Sequence, residues 1–249
     1  MKREDILNCQ SIPIACGSYG RPPYRFIDRE YFIIAYESDP EAIRQAVPEP
    51  LQPDGSRLVS YEWNKMPDAS GLGCYDESGI VIPCTFEGEE CNFVAQMYVD
   101  DAPALLAGRE IWGFPKKWAK PKMYIADTET LTGTLYYNDI LVAIGTMPFK
   151  YGEVDKTIIE KVLIKTQVNL KLIPDVDGKP KVAQLAAYNL SHAVIKGAWS
   201  GPARLHLVPH VNAPLADLPV TRIIGGTHFI ADVTLPYPKV IHDYLHEEP

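Results

Sequence analysis

Gly108-Arg109-Glu110-Ile111-Trp112-Gly113-Phe114-Pro115-Lys116-Lys117-Trp118-Ala119-Lys120-Pro121-Lys122 is the stretch on which the reading of this chain turns. Two adjacent lysines follow a proline and sit among Trp112, Phe114 and Trp118. A lysine amine is almost wholly protonated at neutral pH and then has no lone pair with which to attack a carbonyl. Apolar neighbours and a second cation both disfavour the ammonium form. Such a pair can therefore release a free amine, and free lysine amines make Schiff bases with ketones. On composition alone a solvated basic turn beside aromatics is the commoner arrangement, because structural charges far outnumber catalytic ones.

Outward from this stretch lie Arg29–Phe32 (R-E-Y-F), Val47–Leu51 (V-P-E-P-L), Asn64–Gly79 (N-K-M-P-D-A-S-G-L-G-C-Y-D-E-S-G) and Gly197–Leu205 (G-A-W-S-G-P-A-R-L). The chain closes on His242-Asp243-Tyr244-Leu245. Taken in this order with G-R-E-x-W-G-F-P-K-K, these segments closely resemble the acetoacetate decarboxylase family, from near residue 10 almost to the end. Several long motifs in one order are far more specific than any one of them. Activation of a lysine is a known property of that family.

The resemblance implies that Lys116 forms the Schiff base, that Lys117 modulates it, and that Arg29, Glu62 and Glu77 are pocket residues. The implied reaction is decarboxylation of the β-keto acid acetoacetate to acetone and carbon dioxide, with no cofactor and no metal. The implied fold is a β-rich α+β domain, an antiparallel cone-like β-barrel enclosing the pocket with a few peripheral helices. The implied assembly is a high-order homo-oligomer, a dodecamer. Two other readings stay open. The same lysine serves aldolase-dehydratases acting on α-keto acids, and a non-catalytic ligand-binding β-barrel would leave Lys116 incidental.

The residues themselves bear on these roles. If Pro115–Trp118 is extended, successive side chains point to opposite faces. Enclosure by aromatics would then do more than Lys117 to favour a free Lys116 amine. The fixed charge and planar donors of Arg29 suit a carboxylate, and an ion pair with Glu30, Glu62 or Glu77 is the structural alternative. Glu62 stands between Tyr61 and Trp63, which suggests burial; a surface position is otherwise the commonest fate of glutamate. Near Lys116 either glutamate could orient the amine, exchange protons or repel the leaving carboxylate. Met97, Phe114 and Trp112 are candidate apolar walls, although such residues on strands are more often plain core. Some relatives are expected to carry a tyrosine where this chain has Phe114. Gly108 and Gly113 would allow close backbone approach.

Composition bounds the alternatives. A length of 249 residues suffices for a large core, and a single domain over 1–249 is the economical reading, since the 22 prolines are dispersed and no linker interrupts the chain. The net charge of -8 argues against nucleic acid as a partner. No apolar run is long enough to span a membrane, and the first residues lack a secretory pattern. The five cysteines contain no C-x-x-C pair, which fits reduced thiols in a cytoplasmic protein. Pro209 between His206 and His210, and the lack of a third ligand near His242 and His246, argue against metal sites. Asp175-Val176-Asp177-Gly178 starts like a calcium loop, but Pro180 follows and no distal glutamate appears, so it reads as a hairpin turn.

Periodicity predicts helices from Ser38-Asp39-Pro40 to Pro48, over Asp155–Lys165, and over Tyr237–Leu245. Strands are predicted at Glu30–Tyr36, Leu58–Trp63, Ile80–Phe86, Phe93–Val99, Thr132–Tyr137, Ile140–Met147, Val168–Ile173, Val182–Val194, Arg204–Val208 and His228–Leu235.

Overall fold

The structure, a computed structural model, describes residues 1–127 and 129–246. The single domain expected over 1–249 includes residues 128 and 247–249, which lie outside the described residues. From the N-terminus the order is α1 (Arg3–Leu7), β1 (Tyr24–Glu37), α2 (Pro40–Ala46), β2 (Gln52–Pro53), β3 (Leu58–Ala69), β4 (Gly73–Phe86) and β5 (Glu89–Val99). Then come α3 (Ala102–Ala107), a wide π-helical turn over Gly108–Trp112, β6 (Lys116–Trp118), β7 (Lys120–Ala126), β8 (Thr130–Tyr137), β9 (Ile140–Pro148) and β10 (Gly152–Glu153). The chain continues through α4 (Lys156–Leu163), β11 (Gln167–Pro174), β12 (Pro180–Tyr188), β13 (Ser191–Gly201) and β14 (Arg204–Leu207). It ends with β15 (Arg222–Leu235) and β16 (Lys239–Asp243).

The fold is β-rich with few helices, as expected, but the sheet is mixed and not wholly antiparallel. One sheet runs β10-β13-β15-β1-β3-β4-β5-β11-β12-β16, with β2 on β4 and β6 on β5. β5 pairs in parallel with both β6 and β11. The path has two ends, β10 and β16, and among the described residues no ladder joins them, so the expected closed antiparallel barrel is not what the pairing gives. A second sheet, β14-β9-β8-β7, lies against the first.

Alternation along the central strands makes two cores. Phe32, Ile34 and Tyr36 of β1, Tyr61 and Trp63 of β3, and Ile80 and Ile82 of β4 pack towards Leu131, Leu135, Val142 and Met147 of the second sheet. The opposite face carries Tyr31, Met66, Tyr75, Met97 and Val99, which join Trp112, Phe114 and Phe229. In the rear core Gly133 and Gly145 are ladder partners, and a Cβ on either would come within 2.3 and 2.6 Å of the Trp63 ring. The two glycines form a slot for that indole, whose Nε1 donates to the Thr134 carbonyl at 3.0 Å.

Asp39 caps α2, accepting from the Glu41 and Ala42 amides, and Pro40 opens the helix, as its sequence dictates. The Asp175–Lys179 turn is the expected hairpin, with Gly178 at φ +81. Two expectations are corrected. Tyr237–Leu245 is not helical: β16 forms there because the β12 edge offers backbone partners to Val240 and His242. Val182–Val194 is not one strand, since the chain leaves β12 at Tyr188 and resumes as β13 at Ser191.

Candidate active site

The front core is where the chemistry-bearing side chains meet. In the ladder, Ile33 faces Glu62, Glu62 faces Gly79, Gly79 faces Met97, and Met97 faces Lys116. One row away, Tyr31 faces Asn64 and Asn64 faces Glu77. Paired residues share a face, so these two rows set Glu62, Glu77, Tyr31, Asn64, Met97 and Lys116 on one surface.

Arg29 joins them through an irregularity. Tyr24 and Phe26 face the front core, and strict alternation would next place Asp28 and Glu30 there. Instead the β1–β15 register shifts between Phe26 and Arg29, with Asp28 at φ +54. The bulge turns the strand so that Arg29, Tyr31 and Ile33 face inward, and Glu30 turns out to bond His228 at 2.7 Å.

Lys116 is set by α3 and the π-helical turn. Asp101 caps α3 by accepting from the Ala104 amide at 2.8 Å. The wide turn then carries the chain around to Gly113, whose left-handed φ of +74 lets it close. A Cβ on Gly113 would lie 2.5 Å from the Lys171 Cα, and one on Gly108 would lie 2.7 to 3.0 Å from the Cδ, Cε and Nζ of Lys116. Both glycines are thus required by close approach, as anticipated. Arg109 Nη1 donates to the Lys116 carbonyl at 3.1 Å, which ties the turn to β6.

The Lys116 amine is buried, donates to the Ala104 carbonyl at 3.0 Å and forms an ion pair with Glu77. It stands 5.1 Å from the Phe114 ring centre and 5.8 Å from that of Tyr75. Lys117 faces the other way, as extended geometry requires: it is exposed, and its Nζ donates to the Asn212 carbonyl at 3.0 Å. The lysine tips therefore lie on opposite sides of β6.

Arg29 makes no ion pair among the described residues, and its Nε is buried without a partner. Its guanidinium lies 4.5 Å from the Tyr31 ring centre and 5.4 Å from that of Phe26. Burial works against its charge, but Tyr31 and Glu77 more than offset this, so it is held cationic. Burial pushes the Glu62 carboxyl above the ordinary glutamate range, against the opposing pull of Arg29 and Asn64. Arg29 and Glu62 are each partly buried and keep some exposed surface.

The structure thus brings together Lys116, Glu77, Glu62, Arg29, Met97 and Phe114. Trp112 stands behind Phe114, ring centres 6.3 Å apart, and its Nε1 donates to the Pro236 carbonyl at 2.8 Å. Tyr31, Tyr75 and Tyr188 were not anticipated. Strand alternation could have found the first two, at two residues from Arg29 and from Glu77; nothing local marks Tyr188. Among the described residues no cluster of three or more His, Cys, Asp or Glu side chains could hold a metal ion.

The chain is similar to known proteins along nearly its whole length. Residues 11–245 match the family described as acetoacetate decarboxylase (ADC). The chain is 47% identical over 241 residues to an acetoacetate decarboxylase of Bordetella avium, covering 96% of each. It is 42% identical to one of Chromobacterium violaceum, covering 99% of this chain and 100% of the relative. The crystal structure of acetoacetate decarboxylase from Legionella pneumophila superposes with a TM-score of 0.90 at 44% identity, covering 92% of this chain and 91% of that one. At 18% identity the enduracididine biosynthesis enzyme MppR shares the fold, with a TM-score of 0.81 over 94% of this chain and 95% of that one.

Proposed function

This chain belongs to the acetoacetate decarboxylase family, and on that premise we propose that it is a carboxy-lyase converting acetoacetate to acetone and carbon dioxide through a Schiff base on Lys116. The observation that carries this reading is the enclosed Lys116–Glu77 pair, with Arg29 and Glu62 around the same space. Enclosure penalises two separate charges. Passing one proton from Nζ to the Glu77 carboxylate converts the ion pair into a neutral amine and a neutral acid, and the amine can then attack.

Nζ adds to the keto carbon, and the resulting carbinolamine loses water to give an iminium. Arg29 holds the carboxylate. The bond between that carboxylate and its neighbouring carbon breaks, its electron pair flows to the iminium nitrogen, and carbon dioxide leaves an enamine. The nitrogen here supplies the electron sink that other enzymes take from a cofactor. A proton then adds to the enamine carbon, and water releases acetone and the free lysine. Glu62, whose buried carboxyl retains its proton more readily than an exposed one, is the group suited to give that proton. Glu77 moves protons at Nζ. Lys117, on the far side of β6, acts in this scheme by anchoring the segment around Asn212.

The test is borohydride reduction in the presence of acetoacetate, followed by intact mass and a peptide map. An isopropyl-sized adduct on Lys116 is expected. An adduct that retains the carboxylate would redirect the reading to aldol chemistry on the same lysine, and no adduct on folded protein would overturn both.

A further inference from the structure

Arg29 reaches the front face only because β1 bulges, and the side chains that hold the bulge lie on the opposite surface. Along the β1–β15 ladder Phe26 pairs with Val233 and Arg29 with Ala231, so Ile27 and Asp28 together stand opposite the single residue Asp232. The other neighbour gives no ladder support there: the β1–β3 register passes from Ile27–Asp68 directly to Glu30–Lys65. β13 breaks step at the same level. Ile195 pairs with Ala231 and Gly197 with Ile230, which leaves Lys196 as its extra residue. Two bulges thus flank one residue of β15, and the side chains of Asp28 and Lys196 meet that of Asp232.

The Asp28 amide, displaced from the backbone ladder, donates to Asp232 Oδ1 at 2.8 Å. Lys196 Nζ lies 2.6 Å from Asp232 Oδ1 and 2.5 Å from Asp28 Oδ1. Asp28 sits at φ +54, a left-handed conformation that aspartate and asparagine adopt more readily than most residues. An exposed ion pair holds little by itself, so the part of Lys196 is to keep the two carboxylates together. The side chain of Asp232 is the least exposed of the three, at 19% against 37% for Lys196 and 58% for Asp28, and it takes the amide that the bulge strips of a ladder partner. Were Arg29 the extra residue instead of Asp28, its guanidinium would leave the face that carries Phe26, Tyr31 and Ala231.

We propose that Asp232, with Lys196, is a positioning residue for Arg29: it pins the extra residue of β1 at Asp28 and so keeps the guanidinium on the face that carries Lys116 and Glu77. This rests on the decarboxylase reading above, in which Arg29 holds the substrate carboxylate, and adds to it what holds Arg29. Asp232 itself faces away from the pocket, between the front-core residues Ala231 and Val233. Without its hold only a fraction of molecules present Arg29 correctly. Apparent affinity then falls by that fraction, while the bound state, once formed, reacts as before.

The test compares wild type with Asp232→Ala, Asp232→Asn and Lys196→Met in steady-state decarboxylation of acetoacetate. Asp232→Ala should raise KM about tenfold and leave kcat within about threefold. Asp232→Asn keeps an oxygen for the Asp28 amide and should recover most of the loss, and Lys196→Met should raise KM only about two- to threefold. In an Arg29→Gln background Asp232→Ala should have no further effect on KM, a result that general loosening of the fold would not give. An unchanged KM in Asp232→Ala, or an equal rise in both Arg29 backgrounds, would overturn the proposal. If Asp232→Ala does not fold, an unchanged KM in Lys196→Met overturns it instead. Failure of the underlying reading shows separately, as wild-type protein that releases no carbon dioxide. Hydrogen exchange over residues 26–31 still decides in that case: it should be faster in Asp232→Ala, and equal exchange would mean that Asp232 does not hold the bulge.

Discussion

The central strands β1, β3, β4 and β5 present two faces built from the same backbone and put to opposite uses. On the rear face, Trp63 fills the slot between Gly133 and Gly145, and nearby the Ser78 hydroxyl donates to that of Tyr61 at 2.9 Å. On the front face, Lys116 pairs with Glu77 on the surface that also carries Glu62 and Arg29, and Arg29 Nε, the Tyr31 hydroxyl and Asn64 Oδ1 are left without partners. Folding gains from the first arrangement and is taxed by the second, because an enclosed polar group left unpaired costs about 1–3 kcal/mol. The face on which a polar side chain lies, once the bulges are allowed for, therefore bears on whether its loss harms stability or chemistry.

The largest separation should come from Lys116→Ala. Removal of a nucleophile commonly costs several powers of ten in kcat, and a fall of at least about 10⁴-fold in carbon dioxide release is expected. The fold should survive, although the enclosed Glu77 carboxylate loses its cation, a cost of about 3–5 kcal/mol unless that carboxyl takes up a proton. Loss of the fold in this variant, seen by circular dichroism, would break the division between the faces.

Trp63→Ala should do the reverse. It empties the slot on the rear face and should cost about 3–5 kcal/mol in denaturant unfolding. The kcat per folded molecule should remain within a few-fold of wild type. Gly133→Ala tests the same slot from the other side, because its Cβ would meet the indole ring.

Much of this division is legible in the sequence. The β-branched and aromatic runs of β3, β4, β5, β8, β9 and β15 mark themselves, as does the Asp39-Pro40 start of α2. G-R-E-I-W-G-F-P-K-K also places its own glycines, because both stand where a Cβ would collide. What the sequence hides is tertiary. The bulge at Asp28 decides that Arg29 and not Glu30 faces the pocket, and only the register with β15 reveals it. The parallel alignment of β6 on β5 sets Met97 beside Lys116, and Tyr188 arrives from a strand on the far side of β11. β16 is hidden for the same reason, since its short segment takes its conformation from the β12 edge it completes.

Glu62 offers a test of intermediate size. Its carboxyl is raised by burial, so between the ordinary glutamate pKa and its raised value the folded chain holds a proton that the unfolded chain has released. Stability from this group is full below the ordinary value and is lost as pH rises through that window, at up to about 1.4 kcal/mol per pH unit. Glu62→Gln removes the titration. The variant should therefore gain on wild type in unfolding free energy as pH rises through the window, and the two curves should run parallel below it. Parallel curves at every pH would show that Glu62 is not held protonated, and would take away its role as proton donor to the enamine.

The smallest effect belongs to the edge of the rear core. Asp39 accepts from the Glu41 and Ala42 amides at 3.0 Å each and so fixes the start of α2, which lays Ile43 and, beyond its end, Val47 against that core. Asp39→Ala should cost about 1 kcal/mol, the usual loss for an N-cap, and Asp39→Asn or Asp39→Ser should recover most of it. Neither kcat nor KM should change, since α2 touches the strands only from behind. A shift in KM with stability intact would mean that the rear core transmits strain to the pocket, and that the two faces are less independent than their residues make them.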